Sequence, residues 1–400
     1  MDRKAHWLDR ERLTVYPRIF VALWLIIAAG WIFLSKDGVG RNGKPLGWDF
    51  IAFWASSYMS LTGHAVDAFN VPMVFAVEKI AVPASKVEFS WYYPPTFDLV
   101  ILPLALLPYG AAFWTWMVAT FSCYVAVFRR VTKSPAALWC LVAFPGVWMN
   151  LLPGQNAFLT ASLAAGALLC LPKRPILAGV LIGLLAIKPH LALLFPVALI
   201  AIEAWSAFMT AGLTAAALTA LGTAVLGVDT LKSSLASLHF ARLFLQSGVL
   251  PWIKMPTVFA CLRLLGVPVD AAYVVHGIVA LLALAAVWRV WRHCGDWQLR
   301  GAALMTGTFL ISPYSYDYDL AWLAFPIAWM ALIGLRDGWR KWEREAMVFA
   351  WLVPFLMAPV AAATHVQLGP FAVAGLLWVI VRMAGAESSF CEQKEAKKLW

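Results

Sequence analysis

The chain has 400 residues, 62% of them hydrophobic and 13% charged, with a formal net charge of +10 at pH 7 and a mean hydropathy of +0.77. So high an apolar share with so little charge excludes a water-soluble globular domain and describes a multi-pass membrane protein. The excess positive charge does not indicate nucleic acid, because the basic residues stand in short clusters between apolar runs, as in cytoplasmic loops facing anionic lipid.

The N-terminus, Met1 to Arg18, is too long and too acidic for a signal-peptide n-region, and no small-residue cleavage site follows Ile19 to Leu34, so the first span is expected to be retained behind a cytoplasmic segment 1–16. With about 20 mostly apolar residues per crossing as the guide, about twelve spans are expected. They fall near residues 17–35, 110–128, 136–152, 157–171, 175–188, 190–204, 206–226, 270–290, 300–312, 319–335, 346–363 and 370–383. Thr96 to Leu107 is apolar but short, contains Asp98 and Pro103, and runs into Pro108-Tyr109-Gly110. It reads as a re-entrant or interfacial helix, which requires protein or a wet cavity beside it.

Orientation follows from the basic residues. The stretches Arg3 to Arg18, Arg129 to Lys133, Lys173-Arg174, Arg289 to Arg300, Arg336 to Arg344 and Arg382 to Lys398 hold 21 of the 31 lysines and arginines, leaving 10 on the other side. Lys and Arg favour the cytoplasm, so both termini are expected there, including the tail 384–400. Two long outer loops result, 35–109 and 227–269. In the first, Phe50, Phe53, Trp54, Ser57 and Leu61 recur at helical spacing and predict an amphipathic helix lying in the interface; Leu231 to Leu245 repeats the style in the second. No linker or fixed-period repeat divides the chain, so residues 1–400 read as one all-α transmembrane domain. The six cysteines lie mostly in or beside apolar segments without paired spacing, as packing residues do.

The polar residues suited to chemistry collect at one set of segment ends. Gly38-Val39-Gly40-Arg41-Asn42-Gly43 matches G-x-G-x-x-G, but with no strand before it and no βαβ unit it is a loop. Asp49 has two compatible readings, an N-cap worth about 1 kcal/mol and a carboxylate placed to accept a proton. Lys188, followed by Pro189, either snorkels or faces a cavity, where a lipid phosphate is its natural partner. Asp317-Tyr318-Asp319 offers the metal-binding D-x-D pattern without a nucleotide-binding sheet, and capping of the helix near Asp319 is the alternative; no resident metal or cofactor is otherwise expected.

At these residues the chain resembles glycosyltransferase family eighty-seven. The resemblance is carried by Asp49-Phe50, Phe53-Trp54, Leu61-Thr62-Gly63-His64, Tyr93-Pro94-Pro95, Pro103 to Tyr109, Gly154-Gln155-Asn156, Ala178-Gly179-Val180, Lys188-Pro189 and Ser312-Pro313-Tyr314. It runs from Asp49 to about Asp319. It implies a GT-C-type bundle in the bacterial cytoplasmic membrane that moves a mannose-like hexose from a polyprenyl phosphate to a glycolipid or polysaccharide at the outer face. Asp49 matches the family's general base. On that reading Lys188, Tyr92, Tyr93, Gln155, Asn156 and His190 hold the donor and its phosphate, while Asp317, Asp319, Tyr316 and Arg242 form an acceptor or secondary site. The chain lacks the histidine that mannosyltransferase members often carry in the Ser-Pro loop; His190, His64 or an arginine of the second outer loop is the expected substitute.

Two other classes compete. A transporter or flippase of lipid-linked sugars is expected to show inverted repeats and polar sites near the bilayer midplane. A non-catalytic assembly protein leaves Asp49 and Lys188 beside hydrocarbon without chemistry to perform.

Overall fold

The computed structural model describes residues 7–396, with the side chains of Arg10 and of residues beyond Ala386 left aside. Most of the tail 384–400, with Cys391, and the first six residues of segment 1–16 therefore lie outside the described side chains. Cys123, Cys140, Cys170 and Cys261 are free thiols.

Among the described residues the chain is helical, with isolated β-bridges at Lys36–Val39 and Val39–Pro45. Seven helices are long and apolar enough to cross a membrane: Glu11–Phe33, Tyr109–Val131, Trp205–Leu226, Val269–His293, Asp317–Asp337, Glu343–Thr364 and Gly369–Ala386. Ala157–Cys170, Pro175–Ile187 and Pro189–Ala201 are apolar but shorter, and Trp297–Ile311 packs among the long helices with eleven buried residues in sequence order from Leu299 to Leu310 but for Arg300.

Prolines set the breaks. The residue before proline is pushed out of the helical region, and proline is well tolerated as the first helical residue. The single crossing expected over 136–152 is in fact two helices, Pro135–Ala143 and Pro145–Leu151, parted at Phe144 (φ −59°, ψ 121°). Lys188 (φ −148°, ψ 69°) divides the apolar run 184–192 into two 3-10 turns before Pro189. Gly179 and Gly183 allow the Pro175–Gly183 helix to pack directly on the Trp205–Leu226 helix; a Cβ on either would fall 2.6 Å and 2.7 Å from the carbonyl oxygens of Ala207 and Ala211.

Two long connections carry their own helices. The first contains Phe50–Leu61, Val71–Ala81 and Pro95–Ile101, the last continued by the 3-10 turn Leu102–Leu106. Phe50–Leu61 is not the one-sided interfacial helix expected. Nine of its twelve residues are buried, because neighbouring segments enclose it. Ser57 Oγ donates to Leu102 O at 2.9 Å, Trp54 Nε1 to Leu107 O at 3.0 Å, and Ser56 Oγ to Asp98 Oδ1 at 2.6 Å. Thr96 Oγ1 donates to Ala186 O at 2.8 Å, which ties Pro95–Leu106 into the bundle. In the second connection the Val228–Ser247 helix buries Thr230, Ser234, Ser237, Ala241 and Leu245, and turns Leu235, Leu238, Phe240 and Leu243 outward. Large apolar residues on the outer face suit a helix that meets lipid.

Candidate active site

Asp49 precedes the Phe50–Leu61 helix without capping it. Its own backbone is already helical (φ −88°, ψ −27°) and its side chain bonds no helix N–H. The N–H groups of Asp49 and Phe50 both donate to Pro153 O at 3.0 Å. The expected N-cap role is thus corrected, and the carboxylate is free for other work. Its Oδ2 accepts from Gln155 Nε2 at 3.0 Å. Asp49 keeps an accessible edge although protein surrounds it on nearly every side. Burial raises its pKa above the ordinary carboxylate range; the Gln155 bond opposes this, followed by the charges of Lys254, Lys44 and Lys188.

Gln155 is placed by the turn before it. Gly154 has φ +81°, and a Cβ there would lie 2.6 Å from Phe50 Cβ and 2.8 Å from Phe113 Cε2, so only glycine fits. Gln155 Oε1 accepts from Tyr93 Oη at 3.1 Å and from Asn156 N at 3.3 Å. Tyr93, pushed well above its usual pKa first by burial and then by Asp319, stays protonated and donates.

Lys188 joins the same cluster from the other side. Its Nζ donates to Asp319 Oδ1 at 2.5 Å and to Asn156 Oδ1 at 3.3 Å, and lies 4.7 Å from the Tyr318 ring centroid. Lys188 is 4% and Asp319 1% exposed. The ammonium therefore does not snorkel; its charge is matched inside the protein. Two hydrogen bonds hold the turn that carries Asp319: Trp322 Nε1 donates to Thr160 Oγ1 at 3.0 Å, and Tyr124 Oη to Ala321 O at 2.6 Å.

Asp319 Oδ2 accepts from Tyr316 N at 3.2 Å and Asp317 Oδ1 from Tyr318 N at 2.9 Å, so both carboxylates serve the start of the Asp317–Leu323 turn. One faces Lys188, and no group of three His, Cys, Asp or Glu side chains gathers among the described residues. Tyr314, Tyr316 and Tyr318 form a run of rings at 5.7 Å and 5.3 Å, with His190 edge-on to Tyr314 at 5.7 Å. Tyr92 lies close enough to Tyr314 and Tyr316 to act on their ionisation.

His64 is not here. It is exposed beyond the far end of the Phe50–Leu61 helix, with Nδ1 3.2 Å from Asp67 Oδ2. Exposed Arg242 lies 5.9 Å from the Tyr273 ring, and Arg263 donates to the carbonyls of Val267 and Gln246. Of the substitutes considered for the missing histidine, His190 is the one beside the Ser-Pro loop. Sequence reasoning missed Lys44 and Lys254 as residues of this site. Both act on the ionisation of Asp49, and their ammonium groups lie near the Trp48 ring. Lys44 carried one signal, its place five residues before Asp49; Lys254 carried none, since its neighbours here come from distant segments.

The sequence model of glycosyltransferase family 87 matches residues 91–313, more than half of the chain, and the chain belongs to that family. It is a membrane glycosyltransferase. Asp49 precedes the matched region and is joined to it through Gln155. No curated protein and no solved structure matches the chain.

Proposed function

We propose that the protein transfers a mannose-like hexose from a polyprenyl phosphate to a glycolipid or polysaccharide hydroxyl, with Asp49 as general base. The observation that carries this is the Asp49 carboxylate: released from capping, held by one hydrogen bond, accessible at one edge and raised in pKa by burial. A base with its pKa moved toward the working pH takes a proton more effectively. In the step, the acceptor oxygen bonds to the anomeric carbon, its proton passes to Asp49, and the bond from that carbon to the phosphate oxygen breaks. The electron pair leaves with the lipid phosphate. Tyr92, Tyr93, Asn156 and His190 surround the sugar-phosphate, Lys188 and Asp319 brace the floor, and Tyr316 and Asp317 line the acceptor side. The charge pattern supports placing this end of the bundle at the outer face of the bacterial cytoplasmic membrane, with both termini inside.

The test is purified protein in nanodiscs given a panel of polyprenyl-phosphate hexoses with acceptor lipid, scored for released polyprenyl phosphate. Asp49→Asn is expected to lower release by about 10²- to 10⁴-fold while donor binding persists. No release by the wild type on any donor, or undiminished release by Asp49→Asn, refutes the reading.

A further inference from the structure

Lys44 and Lys254 come from different long connections, yet both ammonium groups approach one indole. Nζ of Lys44 is 6.0 Å and Nζ of Lys254 5.6 Å from the Trp48 ring centroid, and Trp48 immediately precedes Asp49. Among the described residues neither lysine has an ion-pair partner, in contrast to Lys188.

Each is positioned through its backbone. Gly40 N donates to Lys44 O at 2.9 Å, closing a turn inside the glycine-rich segment, and Lys44 N donates to Asn42 Oδ1 at 3.1 Å. Lys254 ends the turn Trp252–Lys254. Gln367, fully buried, donates Nε2 to the carbonyls of Trp252 at 3.3 Å and Ile253 at 2.8 Å. Two half-buried ammonium groups beside one indole, neither in an ion pair, are suited to receive an anion. Burial and then the charge of Lys254 lower the Lys44 pKa, opposed by Asp49. Asp49 lies near both ammonium groups, and Asp317 lies near Lys254 as well, yet neither carboxylate forms an ion pair with either lysine, so both ammonium groups keep hydrogen-bond capacity for an anion.

We propose that Lys44 and Lys254, both beside Trp48, form the seat of the donor's phosphate, with Lys188 acting as a positioning residue through Asp319. This rests on the phosphate-linked donor proposed above. The chemistry favours two free cations over one. The donor is a phosphodiester with one negative charge, and the released lipid phosphate approaches two as the bond from the sugar breaks. A pair of cations thus gains more with the leaving group than with the bound donor, the condition for speeding the step.

The experiment is titration of polyprenyl phosphate into nanodisc-embedded protein, with the uncharged polyprenol as the parallel probe, for wild type, Lys44→Gln, Lys254→Gln, the double variant and Lys254→Arg. The single glutamine variants are expected to weaken polyprenyl phosphate about 10- to 100-fold, the double variant more, and Lys254→Arg least, with polyprenol binding unchanged throughout. Thermal unfolding of each variant checks that the fold persists. A double glutamine variant with wild-type affinity for polyprenyl phosphate overturns the proposal while leaving the donor reading intact. A wild type that binds polyprenyl phosphate no better than polyprenol overturns both.

Discussion

Neutralising Lys188 alone strands a buried carboxylate, and neutralising both partners does not. Nζ and Oδ1 are 2.5 Å apart, with side chains 5% and 1% exposed, so water cannot replace a lost partner. Removing one member of such a pair costs about 3 to 5 kcal/mol. At 1.4 kcal/mol per factor of ten, that is about two to nearly four powers of ten in the folded-to-unfolded ratio. Replacing both charges by neutral groups of similar size is often close to neutral. Lys188→Met and Asp319→Asn are therefore each expected to lower stability by roughly that amount, and the double variant by much less than their sum. The assay is equilibrium unfolding in detergent for the four proteins of the cycle, with donor binding measured alongside. Single effects that add in the double variant refute the coupling. A donor affinity lost with Lys188→Met, kept in Asp319→Asn and not recovered in the double variant returns the phosphate contact to Lys188.

Gln155→Leu removes the bond that draws the Asp49 pKa down, so the acidic limb of the pH–rate profile should move to higher pH; an unmoved limb would detach Gln155 from the base. Gly154→Ala brings a Cβ to 2.6 Å from Phe50 Cβ at a φ of +81°, and should cost about 1 to 3 kcal/mol from strain and lower transfer by displacing Gln155; wild-type stability and rate would show the turn to be adaptable. Glu78 is buried and its pKa is raised from 4.5 to about 8, first by burial. The folded state then holds a proton that the unfolded state releases, so this residue's contribution is full below pH 4.5 and is lost as pH rises to about 8. Unfolding measured across that range should fall less steeply in Glu78→Gln than in wild type, and equal slopes would contradict the assignment.

Where hydrophobicity alone decides, the sequence was readable. The spans expected near 110–128, 206–226 and 270–290 correspond to Tyr109–Val131, Trp205–Leu226 and Val269–His293, because a long apolar run with no break has one outcome. Phe50–Leu61 was misjudged for a physical reason: helical spacing shows which residues share a face, and says nothing of how many faces the rest of the chain covers. The gathering of Asp49, Gln155, Asn156, Lys188 and Asp319 was legible because each closes or opens an apolar segment at the same end. What each side chain does there was not. Pairing of Lys188 with Asp319 spans 131 positions, and the release of Asp49 from capping depends on Pro153, a residue without a signal of its own.

The Gln155 amide sets a rule for where a proton can go. A backbone N–H can only donate, so Asn156 N obliges the amide oxygen to face it, and Tyr93 occupies that oxygen as well. The amide nitrogen is left pointing at Asp49 Oδ2, which must then remain an acceptor. With Asp49 as the proposed base, a proton taken from an attacking hydroxyl lands on Oδ1. On that reading one fixed amide decides which of two chemically equivalent oxygens receives the proton, and with it the side from which an acceptor approaches.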